Sequence, residues 1–187
     1  KDRPFFCYLA FNAPHTPLQV PEEYYNLYKK TDPSKGFENA EGVFPQMSEK
    51  DKEDARRVYA MVTNIDDNMG RLLKKLDDLR IADHTVVIFM TDNGPQQRRY
   101  NAGMRGLKSS VYRGGIRVPF WIRYPALKRG NTDIAATASH IDLLPTLAGL
   151  CHTKMPANRK IDGISLLPEI KGERTDKGSR SLFFYWT

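Results

Sequence analysis

The chain has 187 residues, of which 40% are hydrophobic and 27% are charged, and its formal net charge at pH 7 is +7. This length allows one domain with a sizeable core, and the composition is ordinary for a soluble globular protein. No apolar run approaches a membrane span, which argues against a membrane-embedded protein. The net positive charge is compatible with nucleic-acid binding. However, acidic residues are interspersed with the basic ones for most of the length and no aromatic-basic RNA motif is present, so we expect no nucleic-acid partner.

The first predicted element is a buried strand over residues 4–11, followed by a proline-rich loop over residues 12–17. Cys7 lies inside this apolar run, and we expect it to be a buried free thiol. Neither Cys7 nor Cys151 has the spacing of a metal finger, and the cysteines do not indicate a cellular compartment. Residues 20–46 are rich in Pro, Tyr and Lys, which predicts an irregular surface segment with one helical turn near residues 22–28.

A long helix is predicted to begin after Ser48, a good N-cap residue with Asp51 three positions later. Its apolar residues recur at spacings of three and four and form one stripe: Ala55, Val58, Val62, Ile65, Met69, Leu72, Leu76 and Leu79. The stripe could belong to a coiled coil, but flanking strands favour a helix packed on a core. An interior Gly70 costs roughly 1 kcal/mol relative to alanine, which suggests close packing at that position.

Strands are predicted over residues 85–91, 118–124 and 182–186. Between the last two, Asp142 is predicted to cap a short helix that has Pro145 in its first turn, because an interior proline would break the helix. The unbroken apolar character of residues 85–91 is typical of a central parallel strand. The order of strands and helices predicts an α/β domain whose sheet is mainly parallel and flanked by helices.

The segment Thr91-Asp92-Asn93-Gly94 lies at the end of the predicted strand 85–91. Asp92 and Asn93 place a carboxylate and an amide at the mouth of a buried strand, and two oxygen donors there suit Ca²⁺ or Mg²⁺. Asp-Asn-Gly is also turn chemistry in its own right, so an Asx-type turn is the alternative interpretation.

A glycine-rich segment follows shortly afterwards, from Gly106 to Pro119, and it carries Lys108 into a tight turn. Backbone amides and an ammonium group together can bind an anion. Six basic residues lie in and before this segment with almost no acids among them: Arg98, Arg99, Arg105, Lys108, Arg113 and Arg117. A solvated charged surface is the ordinary explanation of such a cluster, and an anion-attracting cleft is the functional one.

At this point the chain resembles the sulfatase family of the alkaline-phosphatase superfamily, because several motifs occur in family order. They are Pro4-Phe5-Phe6, Ala13-Pro14-His15-Thr16-Pro17, Asn64-Ile65-Asp66, Thr91-Asp92-Asn93-Gly94, Gly106-Leu107-Lys108, Gly114-Gly115-Ile116-Arg117-Val118-Pro119, His140-Ile141-Asp142-Leu143-Leu144-Pro145-Thr146 and Asp162-Gly163-Ile164-Ser165-Leu166-Leu167-Pro168. The resemblance implies an alkaline-phosphatase-like α/β fold and a sulfuric ester hydrolase. Its substrates would be sulfate monoesters of a sugar or an aryl alcohol, so the expected partner is a sulfated small molecule or glycan.

The resemblance also implies roles for individual residues. Asp92 and Asn93 look like the metal-ligand pair of the family, with Ca²⁺ or Mg²⁺ as the metal. Lys108 looks like the lysine that holds the sulfate group, and His15 looks like the histidine that contacts the sulfate or protonates the leaving alcohol. Arg105 is a further candidate for contact with sulfate or sugar, although a surface arginine is an equally good interpretation. Arg113 stands where the family more often has an acid.

Part of the family machinery is not found in this sequence. The family nucleophile is a formylglycine made in a Cys/Ser-X-Pro-X-Arg motif, which does not occur in residues 1–187, and the early pair of metal-binding aspartates has no counterpart either. We therefore expect residues 1–187 to be the middle-to-late portion of a catalytic domain, without its N-terminal part and C-terminal subdomain, and to be inactive alone. Family resemblance places the parent protein in the periplasm or outside the cell.

Two other functions fit parts of the pattern. One is a phosphatase or phosphonate hydrolase of the same superfamily, although phosphate is commonly served by two metals and the single Asp-Asn pair with a lysine favours sulfate. The other is a catalytically inactive module that keeps the cleft and binds sulfated glycans. A sulfatase is the interpretation that the ordered motifs favour.

Overall fold

The computed structural model describes residues 3–36, 42, 46–127, 130–173 and 180–186. The chain forms two compact units. The first comprises residues 1–82, 87–122 and 185–187, and the second comprises residues 83–86 and 123–184. Across the described ranges, no helix combines the length and the apolar character needed to cross a membrane.

The first unit is organised around the long helix α2, which spans Glu49–Asp78. As predicted, Ser48 caps it: the Ser48 hydroxyl accepts from the Asp51 backbone N–H at 3.1 Å, and the Asp51 carboxylate accepts from the Ser48 backbone N–H at 2.9 Å. The residues that α2 buries are Ala55, Val58, Ala60, Met61, Ile65 and Leu76.

The predicted apolar stripe of α2 is only partly buried. Val62 is 49% exposed and Leu79 is 37% exposed, while Ala60 and Met61, outside the stripe, are buried. The expectation of close packing at Gly70 is wrong, because a Cβ built there would meet no atom within 4 Å. Four stripe residues, Ala55, Val58, Ile65 and Leu76, are buried, so α2 buries part of the predicted face together with Ala60 and Met61.

Helix α1 spans Glu22–Tyr28, where the sequence predicts a helical turn, and it contacts α2 through tyrosines. The Tyr24 hydroxyl donates to Asp67 at 2.8 Å, and the Tyr25 hydroxyl lies 2.9 and 3.0 Å from the two carboxylate oxygens of Glu53. The hydrogen bond to Glu53 raises the pKa of Tyr25, because it stabilises the protonated phenol. These bonds fix α1 on α2 and so hold the start of the 20–46 segment, of which residues 37–41 and 43–45 lie outside the described part.

The sheet of the first unit has two strands, β1 (Val87–Met90) and β2 (Phe120–Arg123), joined side by side. Both lie inside predicted strands but are shorter, and β1 is only partly buried. Residues 4–11 and 182–186 are not strands in this structure, which makes both predictions wrong. A strand needs a neighbour for its N–H and C=O groups, and apolar composition alone supplies none. The mainly parallel sheet is therefore not confirmed, and the architecture shown is a small sheet with helices.

The exposure of residues 4–11 also decides the prediction for Cys7. Along residues 4–11 the apolar side chains face outward, with Phe6 80% exposed and Tyr8 83% exposed. Cys7 is likewise exposed, as is Cys151, and both are free thiols. The predicted burial of Cys7 is wrong because it depended on a strand that is not formed here.

The second unit contains α4 (Leu143–Leu150) and α5 (Leu167–Lys171), and Pro145 lies in the first turn of α4 as predicted. As predicted, Asp142 occupies the N-cap position of α4, but its side chain makes no capping hydrogen bond to that helix. A 3₁₀ turn over His140–Asp142 precedes α4 and turns the Asp142 carboxylate back toward Ser139, whose N–H donates to it at 2.8 Å. The reciprocal bond completes a capping box on this turn.

Asp142 is fully buried and is the polar centre of the second unit. Its carboxylate accepts two bonds from the Arg180 guanidinium, at 2.6 and 2.9 Å, and one from the Ile164 N–H at 2.9 Å. Burial acts to raise the pKa of Asp142, but the hydrogen bonds from Arg180, Ile164 and Ser139 outweigh it and hold that pKa below its ordinary value. This carboxylate therefore ties three separate segments of the unit together.

Candidate active site

Asp92 and Asn93 follow β1 by two and three residues, which is where the sequence predicts a metal site. Asp92 is exposed, and its Oδ1 accepts the backbone N–H of Asn93 at 2.9 Å, a local turn contact. Among the residues that the structure describes, no group of three or more His, Cys, Asp or Glu side chains is placed to hold a metal. The donor set is chemically suited to a hard cation, but two oxygens are few for an ion that takes six to eight. The metal assignment remains a prediction.

Main-chain contacts bring the Asp92 loop and the glycine-rich segment together. The N–H of Gly94 donates to the carbonyl of Gly115 at 2.8 Å, and the N–H of Lys108 donates to the carbonyl of Pro95 at 2.8 Å. A Cβ built on Gly94 would lie 1.8 Å from the carbonyl oxygen of Gly114, closer than any side chain tolerates. The two signatures are therefore side by side because glycine lets their backbones touch.

The glycine-rich segment is folded tightly on itself. The N–H of Gly114 donates to the carbonyl of Arg105 at 2.7 Å, and the Asn101 side chain donates to the carbonyl of Gly106 at 3.1 Å. Gly106 has φ +94°, a left-handed conformation that glycine adopts without strain. A Cβ at Gly115 would lie 2.4 Å from the carbonyl of Ser110. These constraints explain the paired glycines and fix the turn that carries Lys108. The four-residue helix α3, Arg113–Ile116, forms inside this turn and is not predicted by the sequence.

His15 and Lys108 are 93 residues apart in sequence, and the fold brings their side chains together. The distance from Lys108 Nζ to His15 Nε2 is 3.4 Å, the outer limit of a hydrogen bond. His15 Nδ1 lies 2.8 Å from the carbonyl oxygen of Thr16, which can only accept, so Nδ1 carries the proton. In the neutral ring this leaves the lone pair of Nε2 facing the ammonium group. An ammonium and an imidazole are thus presented at one point of the first unit.

Arg105 lies three residues before Lys108, and its side chain is held by an aromatic residue that the sequence analysis did not identify. The guanidinium carbon sits 3.9 Å from the centroid of the Tyr112 ring, a close cation–π contact. Both side chains are exposed. Spacing alone does not reveal this pairing, because the two residues meet through the turn at Gly106 rather than through a regular helix or strand.

The wider basic cluster has few opposing charges. Arg99 is partly buried, and its guanidinium donates to the neutral amide of Gln97 at 3.3 Å. Burial lowers the pKa of Arg99 from its ordinary value, because the charged form is the one that loses hydration. His84 and His152, which belong to none of the family motifs, are exposed.

Comparison with known proteins identifies the family. The family model described as Sulfatase matches residues 1–153. The chain is 31% identical over 172 residues to an ulvan-active sulfatase of Formosa agariphila (strain DSM 15362 / KCTC 12365 / LMG 23005 / KMM 3901 / M-2Alg 35-1), covering 91% of this chain and 32% of that protein. It thus spans about a third of the length of such a relative.

Two solved structures show the same likeness. The crystal structure of Ps i-CgsB in complex with k-i-k-neocarrahexaose superposes with a TM-score of 0.72 at 31% identity, over 92% of this chain and 35% of that one. The structure of BT4656 in complex with its substrate D-glucosamine-2-N,6-O-disulfate gives a TM-score of 0.57 at 28% identity, over 66% of this chain and 24% of that one. The sequence match, the ordered motifs and the shared fold agree, and the chain belongs to the sulfatase family.

Proposed function

We propose that the whole protein hydrolyses sulfate monoesters, that its substrate is a sulfated glycan, and that residues 1–187 supply part of its catalytic domain. Membership of the sulfatase family supports this proposal and gives no support to a phosphatase or to an inactive binding module. The observation that carries the site assignment is the contact between Lys108 Nζ and His15 Nε2 at 3.4 Å. These two residues, both predicted to contact the sulfate ester, are 93 positions apart in sequence and lie in contact in the structure.

Within this site, Lys108 would bind and partly neutralise the sulfate group. A sulfate monoester carries a negative charge that must be held while the S–O bond breaks, and a fixed ammonium group does this. The N–H of Lys108 is tied to Pro95 at 2.8 Å, so the backbone that carries the ammonium is anchored to the Asp92 loop. Arg105 is the further contact that we propose for the substrate.

His15 would move a proton at Nε2. Because Nδ1 is committed to the Thr16 carbonyl at 2.8 Å, Nε2 is the nitrogen available to accept a proton, or to donate one once the ring is charged. An oxygen placed beside both His15 and Lys108 would receive a hydrogen bond from Lys108 and, once the ring is charged, a second one from His15. That oxygen would belong to the sulfate or to the leaving alcohol.

Asp92 and Asn93 would provide two oxygen ligands of a Ca²⁺ or Mg²⁺ ion, which would polarise the sulfate oxygens when bound. The remaining ligands and the formylglycine nucleophile would come from residues outside 1–187. The Asp92 loop and the Lys108 turn are joined by main-chain hydrogen bonds, so an anion held by Lys108 would be presented to the same loop. Family membership supports a location in the periplasm or outside the cell.

The test is to compare turnover of 4-nitrophenyl sulfate and 4-nitrophenyl phosphate by the full-length protein. We expect sulfate to be preferred, and we expect His15→Gln and Lys108→Met each to lower kcat/KM by about 10²-fold to 10⁴-fold. His84→Gln is the matched control and should match the wild type, because His84 is exposed and belongs to none of the site motifs. A preference for phosphate, or full activity in both variants, would overturn the assignment.

Residues 1–187 alone should not turn over sulfate esters, because they contain no Cys/Ser-X-Pro-X-Arg motif. Robust turnover by the purified chain, from a host whose own sulfatases have been deleted, would mean that a different nucleophile operates. In that case the roles given to His15 and Lys108 would need revision.

A further inference from the structure

Basic residues are concentrated in the part of the sequence around Lys108. From residue 93 to residue 132 the sequence contains no Asp or Glu. Six basic residues of this stretch lie in the first unit, and within the described residues none of them forms an ion pair: Arg98, Arg99, Arg105, Lys108, Arg113 and Arg117.

Several basic residues of α2, by contrast, form close ion pairs. Lys50, Lys52, Arg57 and Lys74 each have a carboxylate oxygen within 2.9 Å. One sulfate monoester carries a single negative charge, which Lys108 can balance alone. The six basic residues near Lys108 in the sequence are therefore more than a monoanionic substrate requires, and they favour a partner with several negative charges.

The side chain of Arg105 has a defined geometry. Stacking on Tyr112, at 3.9 Å from guanidinium carbon to ring centroid, fixes the plane of the guanidinium group. The carbonyl of the same residue accepts from Gly114 at 2.7 Å, so its backbone is fixed as well. Stacking occupies the face of the guanidinium and leaves its in-plane N–H groups available to donate. These donors match the paired oxygens of a sulfate or a carboxylate. No carboxylate of the described chain takes them.

Arg105 and Lys108 are three residues apart, so their Cα atoms are close enough for one extended glycan to reach both side chains. Three residues of fully extended chain span at most roughly 11 Å, and the turn at Gly106 shortens this path. We propose that Arg105, held over Tyr112, binds a second anionic group of the substrate, so that the site prefers a glycan carrying at least two anionic groups. This inference rests on the proposed sulfatase function and specifies its substrate class. The second group is a sulfate or a carboxylate, which present the same pair of oxygens to arginine.

The test measures dissociation constants of the full-length protein by calorimetry at fixed ionic strength. The probes are N-acetylglucosamine 6-O-sulfate, glucosamine-2-N,6-O-disulfate, and a disaccharide with one sulfate and one uronate carboxylate. We expect at least one of the two dianionic sugars to bind about tenfold to a hundredfold more tightly than the monosulfate, as charge-assisted hydrogen bonds allow. A gain for the disulfate identifies the second group as a sulfate, and a gain for the uronate sugar identifies it as a carboxylate.

Three variants and a control assign the gain to Arg105. Arg105→Ala should abolish the advantage of the dianionic sugar, and Arg105→Lys should restore little of it, since an ammonium lacks the planar fork. Tyr112→Leu should reduce the advantage by releasing the guanidinium plane. Arg71→Ala is matched in charge, because Arg71 is an exposed arginine of α2 bonded to the neutral Asn68, and it should keep the full advantage.

Equal affinities for all three sugars, no binding of any, or an advantage that survives Arg105→Ala would each overturn the proposal. Turnover of 4-nitrophenyl sulfate by the same preparation distinguishes failure of the Arg105 proposal from failure of the proposed sulfatase function. Turnover without a dianion preference refutes the Arg105 subsite and leaves the sulfatase assignment standing. A dianion preference that depends on Arg105, without sulfate-ester turnover, refutes the proposed function and leaves an anion-binding site.

Discussion

Replacing Gly94 with alanine tests whether the two signature loops touch as the structure indicates. The new Cβ would lie 1.8 Å from the Gly114 carbonyl oxygen, whereas a carbon and an oxygen normally stay about 3.3–3.6 Å apart. The obstacle is backbone, so one loop must move by roughly 1.5 Å. Such a shift would strain the hydrogen bond from Gly94 to Gly115, which contributes about 1 kcal/mol, and overpacking costs about 1–3 kcal/mol more. We expect a total loss of about 2–4 kcal/mol in the free energy of unfolding.

The assay is urea unfolding of the 187-residue chain at 25 °C, with m-values compared to confirm the same transition. Gly70→Ala is the matched control because Gly70 lies in α2 and has no atom within 4 Å of the new Cβ. It should stabilise the chain by about 0.5–1 kcal/mol, since alanine is the better helix former. If Gly94→Ala leaves the midpoint unchanged while Gly70→Ala raises it, the loops are not in contact and the adjacency of Asp92 and Lys108 fails.

Three further predictions concern single groups. Asp142 has a lowered pKa when folded, so its contribution to stability is present above its unfolded pKa of about 4 and is lost as the pH falls through the folded pKa. Arg180→Met should therefore cost about 3–5 kcal/mol at pH 7, and Asp142→Asn should flatten the acid dependence of urea unfolding. In nitrogen-detected NMR of the neutral ring, His15 should carry its proton on Nδ1, and a proton on Nε2 would contradict the Thr16 contact. Treating the full-length protein with a chelator should abolish sulfate-ester turnover, and Asp92→Ala should raise the concentration of Ca²⁺ or Mg²⁺ needed to restore it. If chelation leaves the sulfate-ester turnover unchanged, the assignment of Asp92 and Asn93 as metal ligands is wrong.

Local sequence signals predicted α1, α2 and α4, because the causes of these helices are local. Ser48 and Asp51 form the capping box that starts α2, and Pro145 falls in the first turn of α4 as its missing N–H requires. The strand predictions fared worse, because a strand depends on partners far away in the chain. Residues 87–90 and 120–123 pair with each other, whereas the equally apolar residues 4–11 form no strand. Apolar character indicates that a segment favours burial and does not say which segment covers it.

The candidate site shows the same division between local and distant causes. His15 and Lys108 could be selected from the motifs around them, and their contact at 3.4 Å supports the pairing. Tyr112 could not be selected, because an aromatic residue near an arginine is common and only the turn at Gly106 brings the ring under Arg105. A motif specifies which residue types are present, and the backbone path decides which of them act on the same ligand.

Asp142 shows that a residue can lie where a motif predicts it and still have a different side-chain role. Its position before a helix favours capping of α4, and an aspartate there would ordinarily stabilise the helix N-terminus through its side chain. Instead, the carboxylate is fully buried and accepts hydrogen bonds from both terminal nitrogens of the Arg180 guanidinium, 38 residues later. A buried carboxylate needs several donors to offset its lost hydration, and a single capping bond would leave most of that cost uncompensated. The paired arginine decides the role, and its distance along the chain places it beyond the reach of any local pattern.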